Sequence, residues 1–210
     1  MSAVDHRRRL HRIPELDNQL PETIQYVRSV LEPLGCKVFS PATGSVCAWF
    51  DAGRGDTVAF RADMDALPVP EETGLPYASE HPGCMHACGH DGHMAMMLSL
   101  AEWTSEHVKE LPHNVLFLFQ PAEETTGGAR KLCESGVLER YRVRCIFGVH
   151  LWPGLPAGTV WSRPGPLMAR SNEVTVTVEG LSVHLSRAAE GRDALTAGIS
   201  YLERAYDMMD

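Results

Sequence analysis

Residues 114–124 read Asn-Val-Leu-Phe-Leu-Phe-Gln-Pro-Ala-Glu-Glu. The apolar run is continuous and stopped by Pro121, the pattern of a buried strand in a sheet covered on both faces. Glu123 and Glu124 follow at once, where the strand's C-terminal end would lie. That end is where α/β sheets place ligands and catalytic groups. Adjacent carboxylates there suit a division of labour in which one binds metal and the other moves a proton.

Around this run the elements alternate in type, which predicts an α/β layer structure. Ile24, Val27, Leu31 and Leu34 recur at helical spacing, and Gly35 stops that helix. Short β-rich runs follow at residues 36–40, 45–51 and 57–63. The last two are separated by Ala52-Gly-Arg-Gly-Asp, a hairpin-like turn signal. Residues 67–83, rich in Pro and Gly, read as a long surface excursion. Asp91 is the expected N-cap of a helix over about residues 92–109. A helix over 127–134 and a strand over 145–150 complete the pattern. Beyond a Pro/Gly-rich break (Trp152-Pro-Gly-Leu-Pro-Ala-Gly and Arg163-Pro-Gly-Pro), residues 173–179 alternate with period two, as a half-exposed strand does. A helical pattern resumes after Asp193 through Leu195, Ile199, Leu202 and Ala205. A domain boundary is expected near residues 169–172, dividing the chain into 1–170 and 171–210.

Composition restricts the chemistry. The chain has 210 residues, 44% apolar and 22% charged, as an ordinary globular protein does. Its formal charge of −8 argues against nucleic acid or an anionic membrane as the main partner. Residues 94–101 form the longest strongly apolar stretch, too short to span a bilayer. The basic start lacks a following apolar segment, so no secretory signal is expected and the cytoplasm is the expected location. Reduced thiols follow, with Cys36, Cys47, Cys133 and Cys145 expected as small buried hydrophobes.

Residues 84–93, Cys-Met-His-Ala-Cys-Gly-His-Asp-Gly-His, gather two thiols and three imidazoles from a chain with six Cys and ten His. Thiolate and neutral imidazole are good ligands for zinc and its neighbours. Cys88 and His90, two apart in an extended segment, project to one side and can meet one ion. His86 and His93 are left between a supporting role and none. His150 ends the next strand, and Asp63 and Asp65 end the run at 57–63, so three strand ends and the cluster point to one metal crevice. A nucleobase deaminase is set aside: the Cys84 to Cys88 spacing is one residue too long for its Cys-x-x-Cys, and no His-Ala-Glu precedes it.

At these residues the chain resembles the M20 metallopeptidase family, in its amidohydrolase branch of hippurate hydrolases, auxin-conjugate hydrolases and N-acetyldiaminopimelate deacetylases. The matching segments are Leu10-His-Arg-Ile-Pro-Glu-Leu, Arg61-Ala-Asp-Met-Asp-Ala-Leu-Pro, Met85-His-Ala-Cys-Gly-His-Asp-Gly-His-Met-Ala, Phe119-Gln-Pro-Ala-Glu-Glu and Gly148-Val-His-Leu-Trp-Pro-Gly. The resemblance implies a three-layer mixed-sheet catalytic domain with an inserted α+β lid and dimerisation domain. It implies two divalent ions, Mn or Zn, held by Cys88, His90, Glu124 and His150 together with a further His near the family's C-terminus. Glu123 matches the general base, which takes a proton from the attacking water and returns it to the leaving amine. Asp65 matches a supporting acid. The implied substrates are N-acyl amino acids or similar small amides, and the implied assembly is a homodimer.

His184 aligns with a His that reaches substrate across the family's dimer. Leu181-Ser-Val stands there for the usual Lys-Gly-Gly, and Ala188-Ala189 for Pro-His. The resemblance also implies that the chain stops inside the lid, at roughly half the usual family length, and that these residues alone turn over weakly or not at all. The alternative expectation is a non-catalytic fragment with one closed structural metal site. Metal counting separates the two.

Overall fold

The computed structural model describes residues 1–125, 127–168 and 174–209. The chain divides into two compact units, Met1–Leu155 and Pro156–Asp210. The boundary expected near residues 169–172 lies outside the described residues.

The first unit runs α1 (Ala3–His11), α2 (Pro21–Leu31), β1 (Lys37–Phe39), β2 (Val46–Phe50), β3 (Thr57–Asp63), α3 (His90–His107), β4 (Asn114–Gln120), α4 (Gly128–Glu134), α5 (Val137–Arg140) and β5 (Val143–Gly148). A 3-10 turn, Glu32–Leu34, extends α2 until Gly35 turns left-handed at φ 71°. The strands form one mixed sheet in the order β1-β2-β4-β3-β5. β2 pairs antiparallel with β1 and with β4, whereas β3 runs parallel to both β4 and β5.

All seven residues of β4 are buried, as the opening run predicts. Its side chains alternate between two cores. Val115, Phe117 and Phe119 face one core with Leu10, Val27, Leu31, Met94 and Leu98. Leu116 and Leu118 face the other with Cys47, Ala59, Leu132 and Val137. Helices α1, α2 and α3 thus cover one face and α4 and α5 the other, which makes the unit a three-layer α/β domain.

Four local expectations are corrected. β2 and β3 do not form a hairpin, because β4 lies between them. Asn114, opening β4, draws the connecting turn over itself: its Oδ1 accepts the N–H groups of Ala52 (2.9 Å) and Arg54 (3.2 Å). Its own N–H donates to the Asp56 carbonyl at 3.0 Å. Asp91 is not the N-cap of α3. Gly89, with φ 86°, holds that position, and Asp91 is buried inside the first turn. Of the four cysteines expected in the core only Cys47 is buried; Cys36 and Cys145 are half-buried and Cys133 is exposed. On the short α4 it is Leu132, next to Cys133, that turns to the core. β5 also starts and ends two residues earlier than expected, so His150 lies two residues past the strand.

The second unit carries a 3-10 segment, Leu185–Glu190, and α6 (Ala194–Asp207), which Asp193 caps through the N–H groups of Leu195 and Thr196. Glu173 lies outside the described residues, and residues 174–180 form no strand. A strand is stable only in a ladder with a partner, and here Val174, Val176 and Val178 instead line a groove with Leu195, Ile199 and Leu202. No helix among the described residues is long and apolar enough to cross a membrane.

A buried ionic cluster joins α1 to the start of α3. His11, 2% exposed, places Nδ1 at 2.7 Å from Asp91 Oδ2 and Nε2 at 3.2 Å from Glu71 Oε1. Arg7 Nε also donates to Asp91 Oδ2, at 3.1 Å. Only the protonated imidazole donates to both carboxylates. The hydrogen bond to Asp91 accordingly raises the His11 pKa above 6.5 against the opposing effect of burial. A raised folded-state pKa gives stability that is complete below the unfolded value and is lost as pH rises through the folded one. The difference in unfolding free energy between wild type and His11→Gln, from urea melts, is therefore expected to be largest near pH 6 and to shrink towards pH 9. A difference independent of pH would contradict this protonation state.

Candidate metal centre

The crevice forms at the C-terminal ends of β3 and β4 and the first turn of α3. After β4 the chain reverses through Pro121 and Ala122, the latter at φ 53°, a left-handed conformation that costs a non-glycine residue energy. Gly128 permits the return, since a Cβ there would lie 1.8 Å from the Pro121 carbonyl oxygen. This tight turn aims two successive amides at one acid. Asp65 accepts the N–H of Glu123 on Oδ1 (2.9 Å) and that of Glu124 on Oδ2 (3.0 Å). The Asp65 backbone carbonyl accepts His90 Nδ1–H at 2.7 Å. One residue after β3 thus orients both acids and an imidazole.

The donor set fits a metal. Because Nδ1 of His90 donates to a carbonyl, its Nε2 is the unprotonated nitrogen. That atom and Glu124 Oε1 are both buried, 3.7 Å apart, without a hydrogen-bond partner among the described residues. His150 follows the same logic: Nδ1 donates to the Leu151 carbonyl (2.7 Å), and Nε2 faces Cys88 Sγ at 3.8 Å. Buried polar atoms left unpaired are costly, and zinc-type bond lengths place neighbouring ligand atoms roughly 3.3–3.6 Å apart around one ion. Ligand atoms of Cys88, His90 and His150 lie within 4.8 Å of one another, as do those of His90, Glu123 and Glu124. His90 belongs to both sets, so two ion positions would abut.

Electrostatics agree. Burial, then the hydrogen bond to Glu124, then the charges of Glu124, Glu123 and Asp63 push the Cys88 thiol up to about 12. Such crowding of anionic groups is relieved by a cation, which also holds the sulfur as thiolate. Burial, Glu124 and Asp63 raise the Glu123 carboxyl above its ordinary range, which suits a group that must both take and return a proton.

All of the expected ligands of the first unit thus meet in this crevice, with Glu123 at its edge. His184 belongs to the second unit. It is exposed there and caps the 3-10 segment, with Nδ1 accepting the Ser186 N–H at 3.3 Å. His86 is buried with neither ring nitrogen hydrogen-bonded among the described residues, and burial lowers its pKa to about 4. Asp65, which the resemblance matches to a supporting acid, is the residue that clamps the two amides; sequence reasoning missed Arg61, which holds Gln120 Oε1 and Asp63 Oδ2 at 2.8 Å each. Alternation along β3 puts Arg61 and Asp63 on one face, the only sequence signal for their pairing.

Comparison with known proteins places the chain in a family. Residues 59–207 match the model of Peptidase family M20/M25/M40. The chain is 42% identical over 188 residues to an uncharacterized hydrolase of Staphylococcus epidermidis, covering 89% of this chain and 49% of that protein. It spans about half the length of the curated relatives it matches. Among solved structures it is similar to the Bacillus subtilis YXEP protein, a dinuclear metal binding peptidase from the M20 family. There the TM-score is 0.74 at 43% identity, over 79% of this chain and 46% of that one. It is also similar to an aminobenzoyl-glutamate utilization protein from Klebsiella pneumoniae, with TM-score 0.59 at 26% identity, over 75% and 45% of the two chains.

Proposed function

This chain belongs to peptidase family M20/M25/M40, and we propose that its crevice is the greater part of a dinuclear metal site that hydrolyses the amide bond of N-acyl amino acids. The observation that carries this is the pair of ligand sets sharing His90, the second of which brings Glu123 together with Glu124. A relative named for aminobenzoyl-glutamate, an acyl group joined by an amide to an amino acid, supports the substrate class.

Cys88, His90, Glu124 and His150 would hold the ions. Divalent metals, when bound, supply Lewis-acid activation of water and of the scissile carbonyl. Glu123 takes the proton of the attacking water and passes it to the departing amine. Asp65 keeps Glu123 and Glu124 in register through their amides. His184 is the substrate-binding residue in this reading, and the whole protein works as a homodimer. Manganese and zinc both suit the mixed thiolate, imidazole and carboxylate set.

The test is to assay the whole protein on N-acetyl and N-benzoyl amino acids while counting its metal. Two ions per chain are expected, with amino-acid release abolished by a chelator and restored by Mn²⁺ or Zn²⁺. One tightly held ion with no release of amine would favour the closed structural site instead.

A further inference from the structure

We propose that His93 is a positioning residue for His150: it grips the segment after β5 so that the His150 imidazole stays aimed at Cys88. This rests on the metal-centre reading above. His93 lies in the first turn of α3, fully buried. Its Nδ1–H donates to Asp63 Oδ1 at 2.6 Å. Arg61 Nη1 donates to the other oxygen of the same carboxylate, Asp63 Oδ2, at 2.8 Å. The other ring nitrogen, Nε2, accepts the backbone N–H of Leu151 at 2.9 Å.

Both nitrogens of His93 are thereby committed. Asp63, His90 and His93 lie close enough together to resemble a third ligand set, yet His93 has no lone pair left for an ion. What it holds is the Leu151 amide, from the residue next to His150. The Leu151 carbonyl is held in turn by His150 Nδ1–H at 2.7 Å. Leu151 is therefore tied at its N–H to α3 and at its carbonyl to the ligand itself. The His93 and His150 rings meet edge to face, with centroids 4.7 Å apart.

Packing supports the same grip. Leu151 Cδ1 lies 2.6 Å from where a Cβ on Gly92 would stand and 3.3 Å from one on Gly89. The two glycines leave α3 bare where Leu151 seats. Asp63, Gly92 and His93 thus act on His150 through one residue, and partners of this kind fix ring orientation in metal sites.

Two near-isosteric changes separate the two hydrogen bonds of His93. In His93→Gln the amide oxygen reaches the place of Nε2 and can still accept from Leu151. In His93→Asn the amide reaches only the place of Nδ1, so Asp63 keeps a partner and the Leu151 N–H loses its own. The 210-residue chain, stripped of metal, is titrated with Co²⁺ and read by absorption. Wild type is expected to show a thiolate charge-transfer band from Cys88 and intense visible bands of low-coordinate cobalt. His93→Gln should keep both. His93→Asn should keep the charge-transfer band, lose visible intensity as His150→Ala does, and bind Co²⁺ about 10- to 100-fold more weakly.

Spectra of the Asn and Gln variants that match each other, whether both wild-type or both altered, would overturn the proposal. Should the Asn variant fail to fold by circular dichroism, Leu151→Pro removes the same N–H from the other side. A wild-type spectrum in that variant would also overturn it. Absence of the charge-transfer band from wild type itself would sink the metal-centre reading and this inference together, whereas an intact wild-type band with indistinguishable variants sinks the inference alone.

Discussion

Glu123→Gln is expected to lower kcat of the whole protein on an N-acyl amino acid by about 10²- to 10⁴-fold, the range for loss of a general acid–base group. Metal content should be unchanged. The change replaces a carboxylate by an amide of the same shape, and the residue 123 N–H that donates to Asp65 Oδ1 is untouched. The turn stays clamped and Glu124 stays in place. Only the ability to take and return a proton is removed, so kcat falls and KM moves little. Steady-state kinetics with elemental analysis of the same samples checks both halves. A variant that keeps its turnover would remove Glu123 from the role of base, and one that loses its metal would make it a ligand.

Phe117→Ala is expected to destabilise the first unit by about 3–5 kcal/mol, the range for deleting a buried aromatic side chain. Phe117 is fully buried on the central strand. Its ring meets Phe50 edge-on at 5.9 Å and stacks on Phe60 at 5.7 Å. Three neighbouring strands contribute these rings, and Met94 and Leu98 of α3 share the same core. Their main chains are fixed by the ladder, so the space left by the ring cannot close. The measurement is urea unfolding followed by tryptophan fluorescence, with an unchanged denaturant slope as the sign that only stability moved. A loss below about 1 kcal/mol would mean that the core refills the gap, against the packing described.

Legibility in the sequence followed the range of the interactions. β4 was readable to its ends because a strand buried on both faces needs an unbroken apolar run, and Pro121 cannot continue it. α2 and α6 were readable from periodicity, and the end of the first from the Gly35 stop. The hairpin expected between β2 and β3 failed because the partner of each strand, β4, lies more than fifty residues further on. The turn at residues 52–56 carries a hairpin's composition while its amides bind Asn114. Asp91 had the composition of a cap, but a carboxylate buried against His11 and Arg7 has no freedom to serve as one.

The same division runs through the site. Residue type and local pattern marked Cys88, His90, the pair Glu123 and Glu124, and His150 as ligand candidates, because thiolate, imidazole and carboxylate are recognisable wherever they stand and strand ends could be located; only the family resemblance singled out Glu124 from its neighbour. Which imidazoles are free to ligate could not be decided locally. A histidine offers one lone pair, and whether an ion can use it depends on what the other nitrogen binds. For His90 that is the carbonyl of Asp65, and for His150 that of Leu151. His93, of the same residue type and only three positions from His90, spends both nitrogens on Asp63 and Leu151. Composition and periodicity placed candidate metal ligands at the ends of a covered sheet; hydrogen bonds between segments up to about sixty residues apart decided which of those side chains face one crevice, because only tertiary packing brings those partners within 3 Å.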